Sequence, residues 1–164
     1  MITPAEKLHE LRERHKGEKI VFCSGSFDLT HAGHILFFED CKKLGDILVV
    51  GVGSDKILKD LKGESRPVLN QHIRLKTISS LKPVDYCFLD EWSTKENPLL
   101  FLQHTLEALK PDVYVVNNDG FNLASREKIL EKYPTKMVTC VRSCPPEFEQ
   151  ISTTKLIEKI KNTL

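Results

Sequence analysis

A chain of 164 residues, 40% hydrophobic and 29% charged, has the makeup of a globular domain with room for one buried core and not two comfortable ones. Its net charge of +1, with no basic run interleaved with aromatics, gives no long-range pull toward nucleic acid or anionic lipid, so small molecules are the expected partners. Its five cysteines are an odd number, and three of them sit in apolar strand or helix patterns, which reads as a chain from a reducing compartment and not as a disulfide framework.

Residues 1–19 form a polar lead-in with no apolar stretch long enough for export or membrane insertion, so a cytoplasmic protein without a membrane partner is expected. The lead-in contains a helix, roughly Pro4 to Lys16, apolar only at Leu8 and Leu11, and is expected at the periphery or against a partner. A first strand, Ile20 to Ser24, then gives way to Gly25-Ser26-Phe27-Asp28-Leu29-Thr30-His31-Ala32-Gly33-His34. A helix follows, with Phe37, Cys41 and Leu44 at helical spacing and Gly45 as its stop. Gly25, Ser26 and Gly33 let backbone N–H groups come close to an oxyanion, and a helix N-terminus adds aligned donors and partial positive charge. His31 and His34, three residues apart at a first helical turn, share a face and can both donate to one anion. The run therefore reads as a triphosphate site in which two imidazoles grip the reacting phosphate. Zinc needs three or four N/S ligands, and no second His/Cys cluster has matching spacing; Cys140-x-x-x-Cys144 likewise lacks a partner pair, so no metal ligand is assigned.

The second strand, Ile47 to Val52, leads into Ser54 to Val68, a stretch that is cationic around Gly63 and reads as a mobile phosphate-gripping loop. Further strands are expected at Val84 to Leu89, Val113 to Val116 and Lys136 to Val141, with a helix carrying Leu99, Leu102, Leu106 and Leu109 after Pro98. Continuous apolar strands alternating with helices imply a parallel five-stranded sheet covered on both faces, with ligands beyond the strands' carboxyl ends. The last helix starts at Ile151-Ser152-Thr153-Thr154-Lys155, with an apolar stripe of Leu156, Ile157 and Ile160. One hydroxyl there is an ordinary N-cap, and three in a row suggest a second anion site.

A strand followed by G-x-F-D-x-x-H-x-G-H and a helix resembles the signature of the cytidylyltransferase-like nucleotidyltransferases, and Gly25, Phe27, Asp28, His31, Gly33 and His34 match every fixed position. The related motif of class I aminoacyl-tRNA synthetases lacks the preceding Gly-x-Phe-Asp and sits in far longer chains. The resemblance runs from Ile20 to Ile160 and implies a single Rossmann-like domain over residues 1–164, with its catalytic core from residue 20 onward. It implies attack by a phosphate oxygen of a small phosphorylated alcohol or sugar on the α-phosphorus of CTP or ATP, with release of pyrophosphate and with Mg2+ on the triphosphate. A homodimer is expected.

Leu61-Lys62-Gly63-x-x-Arg66-Pro67-Val68 resembles the matching stretch of heptose-phosphate adenylyltransferase domains, which marks Lys62 as catalytic and Arg66 and Lys59 as substrate contacts. By the same resemblance Arg74 contacts substrate or nucleotide; a plain ion pair with Asp85 is the other reading. Asn117, Asn118 and Asp119 occupy the position of the nucleoside-binding loop, where related chains carry Lys-Gly-Gly-Asp-Tyr or Gly-Asp-Asp-Trp, so only Asp119 carries over directly. Ile151, Ser152, Thr153 and Thr154 match the I-S-T-T-K of glycerol-3-phosphate cytidylyltransferases, which leans the base toward CTP, while the Lys62 stretch pulls toward ATP. The resemblance also implies a phosphate-binding, substrate-contacting role for Arg142, which stands further from that motif than its counterpart does. Two rival readings share the first motif: adenylylation of heptose 1-phosphate or FMN by ATP, and nucleotide sensing without turnover.

Overall fold

The five apolar runs form one all-parallel sheet: β1 (Ile20–Gly25), β2 (Ile47–Gly53), β3 (Tyr86–Asp90), β4 (Val113–Asn117) and β5 (Lys136–Cys140), in the order β3-β2-β1-β4-β5. The computed structural model describes residues 1–141, 143–149 and 152–163. Its helices are α1 (Leu8–Arg14), entered through a 3-10 turn at Ala5–Lys7, α2 (Ala32–Lys42), α3 (Asp55–Lys62), α4 (Gln71–Ser79), α5 (Leu100–Ala108), α6 (Leu123–Leu130) and α7 (Thr153–Lys161). Among the described residues, none of these helices is long and apolar enough to cross a membrane.

Side chains alternate across a strand, so the buried strands feed two cores. Ile20 and Phe22 point into one with Leu8, Leu11, Leu102, Leu106 and Tyr114; Val21 and Cys23 point into the other with Phe37, Phe38, Cys41 and Ile78. Each fully buried apolar side chain contributes about 1.5–3 kcal/mol, which is why helices cover both faces. In the first core the Phe22 ring lies between Phe88 and Tyr114, at centroid distances of 6.0 and 5.3 Å. Gly51 of β2 makes this possible: a Cβ there would stand 3.2 Å from both Phe22 and Phe88.

The lead-in helix departs from expectation. Leu8 and Leu11 are fully buried in the first core together with Ala5, so α1 is part of the fold's interior and not a peripheral element. Two apolar residues suffice because they lie three apart on one face, and because the segment before them pairs with β3 through Thr3 N to Cys87 O and Cys87 N to Met1 O. In α7 the expected apolar stripe stays outside the core, since none of its described residues is buried.

From β1 the chain goes to β2 on one side, while β4 lies on the other. The crevice between the carboxyl ends of β1 and β4 is thus the topological switch point, the usual ligand site of such sheets. Gly25, Gly53, Asp90 and Asn117 end the strands around it.

Candidate active site

The turn after β1 is held in a costly shape. Phe27 and Leu29 have φ of 46° and 48°, left-handed values that cost a non-glycine residue on the order of 1–3 kcal/mol and persist only where packing over-determines them. The Phe27 ring supplies that packing: it lies 4.9 Å from Phe38 and meets His34 edge-on at 5.5 Å. Gly25 leaves room for it, because a Cβ there would stand 2.9 Å from the ring.

The turn delivers His31 as the N-cap of α2, in place of the usual Ser, Thr or Asp. His31 Nδ1 accepts from Gly33 N at 3.2 Å, and His34 Nδ1 accepts from His31 N at 3.4 Å, a reciprocal capping box made of two imidazoles. The rings stack with centroids 4.0 Å apart. Since each Nδ1 accepts a backbone N–H, the proton of each neutral ring belongs on Nε2. The cap thereby sets both rings as Nε2 donors on one face at the positive end of a helix.

Asp28 is 1% exposed and does not face solvent. Its Oδ2 accepts from Val68 N at 2.8 Å and its Oδ1 from Leu69 N at 3.0 Å, and Arg66 Nε lies 3.4 Å away. The Asp28 carbonyl accepts from Thr153 Oγ1 at 2.7 Å. Asp28 therefore ties two segments, 66–69 and the start of α7, to the turn, and Phe27 is a packing residue.

Arg74 overturns the sequence reading. It is 0% exposed, donating from Nε to Leu69 O (2.9 Å), from Nη1 to Ser26 O (2.7 Å) and from Nη2 to Asp55 Oδ1 (2.7 Å). With its donors spent on the protein, Arg74 braces the β1 turn against α3 and the 66–69 segment instead of contacting substrate. The alternative pair with Asp85 is also absent: Asp85 accepts from Leu48 N and pairs with Lys42 at 2.5 Å. A second correction concerns the expected loop after β2. Its first half is the helix α3, capped by Ser54 Oγ, so Lys62 is presented from a helix end and not from a mobile loop.

Two cavities flank the Gly25–His34 segment. One, of about 350 Å³, is lined by Gly25, Ser26, Lys62, Asp90, Asn117 and Arg126 among others. The other, of about 480 Å³, is lined by Ala32, Gly33, Asn118, Ser152 and Lys155 with Val141 and residues of the 143–149 segment. Asp119 lines both. In the smaller cavity the Lys62 ammonium donates to Ser26 Oγ at 3.0 Å. Desolvation, with the nearby Arg66 guanidinium second, lowers its pKa from the ordinary lysine value. Burial raises the Asp90 carboxyl above the usual carboxylate range.

The other expected site residues divide. Lys59 pairs with Glu64 at 3.7 Å on the surface, and Arg66 turns toward Asp28. Ser152 Oγ caps α7 by accepting from Lys155 N, Thr153 is bonded to Asp28 O, and Thr154 is exposed. Arg142 and Ile151 lie outside the described residues. Asp90 and Arg126 were not anticipated. A polar residue closing an apolar strand at its carboxyl end is a signal that marks Asp90; Arg126 sits in a short helix, α6, with no local signal.

The cytidylyltransferase-like family model matches residues 22–159. The chain is 40% identical over 163 residues to the bifunctional protein HldE of Helicobacter pylori strain HPAG1, covering 99% of this chain and 32% of that protein. It is 32% identical over 164 residues to HldE of Desulfatibacillum aliphaticivorans, covering 98% and 31%. It thus spans about a third of the length of these curated relatives. Among solved structures, the lipopolysaccharide core biosynthesis protein of Thermoplasma volcanium is 31% identical, with a TM-score of 0.65, over 78% of this chain and all of that one. Pantoate-beta-alanine ligase of Francisella tularensis, solved with beta-gamma ATP and beta-alanine, shares the fold at a TM-score of 0.66 and 16% identity, over 98% and 77% of the two chains.

Proposed function

The chain belongs to the cytidylyltransferase-like family, and on that premise we propose that it transfers a nucleotidyl group from a nucleoside triphosphate to the phosphate of a small phosphorylated sugar, releasing pyrophosphate. The observation that carries this reading is the pair of cavities meeting at Asp119 on either side of the imidazole-capped N-terminus of α2. The larger one, bounded by the first turns of α2 and α7, takes the nucleotide; the smaller one, with Lys62, takes the acceptor phosphate. An acceptor oxygen then approaches the α-phosphorus from the Ser26–Lys62 side while pyrophosphate leaves along the other. The Nε2 donors of His31 and His34 face the charge that develops on the α-phosphate, and Lys62 offsets repulsion between the two anions. Holding both in line and stabilising that charge are sufficient, with no covalent enzyme intermediate.

Magnesium, implied by the resemblance, is read as arriving on the triphosphate. Among the described residues no three His, Cys, Asp or Glu side chains converge to hold an ion, and the Asp28 carboxylate is already spent on Val68 and Leu69. These residues fit an ion held by phosphate oxygens and water, the common mode for this cation, and not a protein cage. Bound there, it would neutralise triphosphate charge.

ATP with heptose 1-phosphate is the favoured pair. The match to cytidylyltransferases at the start of α7 loses weight because Ser152 and Thr153 are engaged in capping the helix and anchoring it to Asp28, roles independent of the base. HldE proteins are among the relatives that match 98–99% of the chain, which supports the adenylyl reading. Pyrophosphate release with ATP and CTP, each against heptose 1-phosphate, glycerol 3-phosphate and FMN, is the test. ATP with heptose 1-phosphate is expected to lead, exceeding CTP in kcat/KM by more than about tenfold, or 1.4 kcal/mol. A CTP preference would restore the cytidylyl reading, and no release from any pair would leave nucleotide binding without turnover.

A further inference from the structure

The smaller cavity carries groups that phosphoryl chemistry does not require. Its floor includes glycine-bearing strand ends, Gly25 of β1 with Gly51 and Gly53 of β2. Asp90 closes β3 and Asn117 closes β4, and in the sheet order β3-β2-β1-β4 these two flank that floor. Asn117 Oδ1 is buried without a hydrogen-bond donor, a state that costs about 1–3 kcal/mol and calls for a partner from outside the chain. Arg126 enters from α6. Its Nε donates to Phe121 O at 2.8 Å, its Nη1 contacts Tyr114 OH, and its guanidinium carbon lies 5.8 Å from the ring centroids of both Phe101 and Tyr114. The fork is thus fixed in place at the cavity wall beside the apolar face of Phe101. Asp90 is 5% exposed, with Oδ1 accepting from Trp92 N and Ser93 N, both at 3.1 Å.

Two oxygen acceptors, one fixed planar donor and an aromatic face form a chemically specific set. A phosphate offers only acceptors and is met by donors and cations such as Lys62, so it leaves the oxygens of Asp90 and Asn117 unmatched. A carbohydrate ring presents hydroxyls that donate and accept, together with an apolar C–H face, and it satisfies all of these groups at once. We propose that Asp90, Asn117 and Arg126 read the hydroxyls of the acceptor's carbohydrate body, so that this chain selects a sugar phosphate over a three-carbon polyol phosphate. The assignment rests on the smaller cavity being the acceptor site. A site built to hydrogen-bond several ring hydroxyls disfavours a ligand that carries only two on a flexible chain, because part of its own buried polar groups is then left unpaired.

Calorimetric titration tests this without needing turnover. Heptose 1-phosphate, glycerol 3-phosphate and α,β-methylene-ATP are titrated separately into the wild-type chain and into Asp90→Asn and Arg126→Gln. Asp90→Asn retains the Oδ1 acceptor for Trp92 and Ser93 while removing the charge, so it keeps the test valid if Arg126→Gln melts early. The wild type is expected to bind heptose 1-phosphate at least about tenfold more tightly than glycerol 3-phosphate, and each variant to lose most of that preference with nucleotide-analogue affinity unchanged. Equal or undetectable binding of the two acceptors by the wild type, or variants that keep the preference, would overturn the proposal. Pyrophosphate release separates it from the functional reading. A wild type that shows the preference but releases nothing defeats the reading and leaves this cavity assignment standing; turnover with an unmoved preference does the reverse.

Discussion

The two cavities beside α2 are built from different material. The smaller one is made of strand ends in register with their neighbours, and its walls reach the interior through Tyr114 and, by way of Ser26, through Arg74. The larger one shares the first turn of α2 but is closed by Val141, the 143–149 segment and the start of α7, where Val141 is 75% and Phe148 43% exposed and no described α7 residue is buried. One side is thus positioned by the core of the sheet, and the other by side-chain bonds such as Thr153 to Asp28 O. Segments with little buried apolar surface open at low free-energy cost. The smaller cavity is therefore expected to be preformed, and the larger one to gain order when a nucleotide analogue binds. Amide hydrogen exchange checks this: protection at 143–149 and 152–156 should rise with α,β-methylene-ATP, while β1 and β2 stay protected throughout.

The junction between the sides should give the largest effect. His31→Ala or His34→Ala is expected to lower kcat by two to three decades, about 2.7–4 kcal/mol, while loss of the cap costs only about 1 kcal/mol of stability. Turnover unchanged in both variants would remove the histidines from the chemistry.

Next comes the brace on the core-built side. Arg74→Ala strips donors from Ser26 O, Leu69 O and Asp55 at once, and should cost about 3 kcal/mol, lowering Tm by about 6–12 °C. Arg74→Lys should recover little, because a point charge cannot reach three acceptors arranged around a planar fork. A melt matching the wild type would show that the strand-built side does not depend on this residue.

Lys62→Ala is expected to reduce kcat/KM by about one to two decades with Tm nearly unchanged, the profile of a charge that acts on ligand and not on the fold. The ammonium is the working form and its pKa is lowered, so kcat/KM should hold on the acid side and fall as pH rises, beginning below the ordinary lysine value of 10.5. Lys62→Arg should abolish that alkaline limb.

The smallest effect is expected on the lightly anchored side. Ser152→Ala removes the α7 cap, worth about 1 kcal/mol, and should raise the nucleotide KM a few-fold while moving global Tm by no more than about 2–4 °C. A large Tm loss would mean that α7 is integral to the core and that the contrast between the two sides is drawn wrongly.

Strand positions, the parallel sheet and the turn into a helix at Gly25–His34 were legible in the sequence because each depends on local chemistry: continuous apolar runs, turn residues, and two histidines at helical spacing. Cys23, Cys41 and Cys87 are buried, and burial raises the Cys87 thiol to about 11. What tertiary structure alone decided is where long polar side chains spend their donors. Arg74 satisfies acceptors 5, 48 and 19 residues away, and no pattern around residue 74 distinguishes that from reaching into a cavity. Asp28 lies inside the most specific motif of the chain, yet its carboxylate meets main-chain N–H groups 40 and 41 residues on. Arg126 joins Asp90 and Asn117 only because the sheet order sets β3 and β4 on opposite sides of the β2–β1 floor. Periodicity reports which face of an element is buried; the partner of a buried polar group is set by packing between segments distant in the chain.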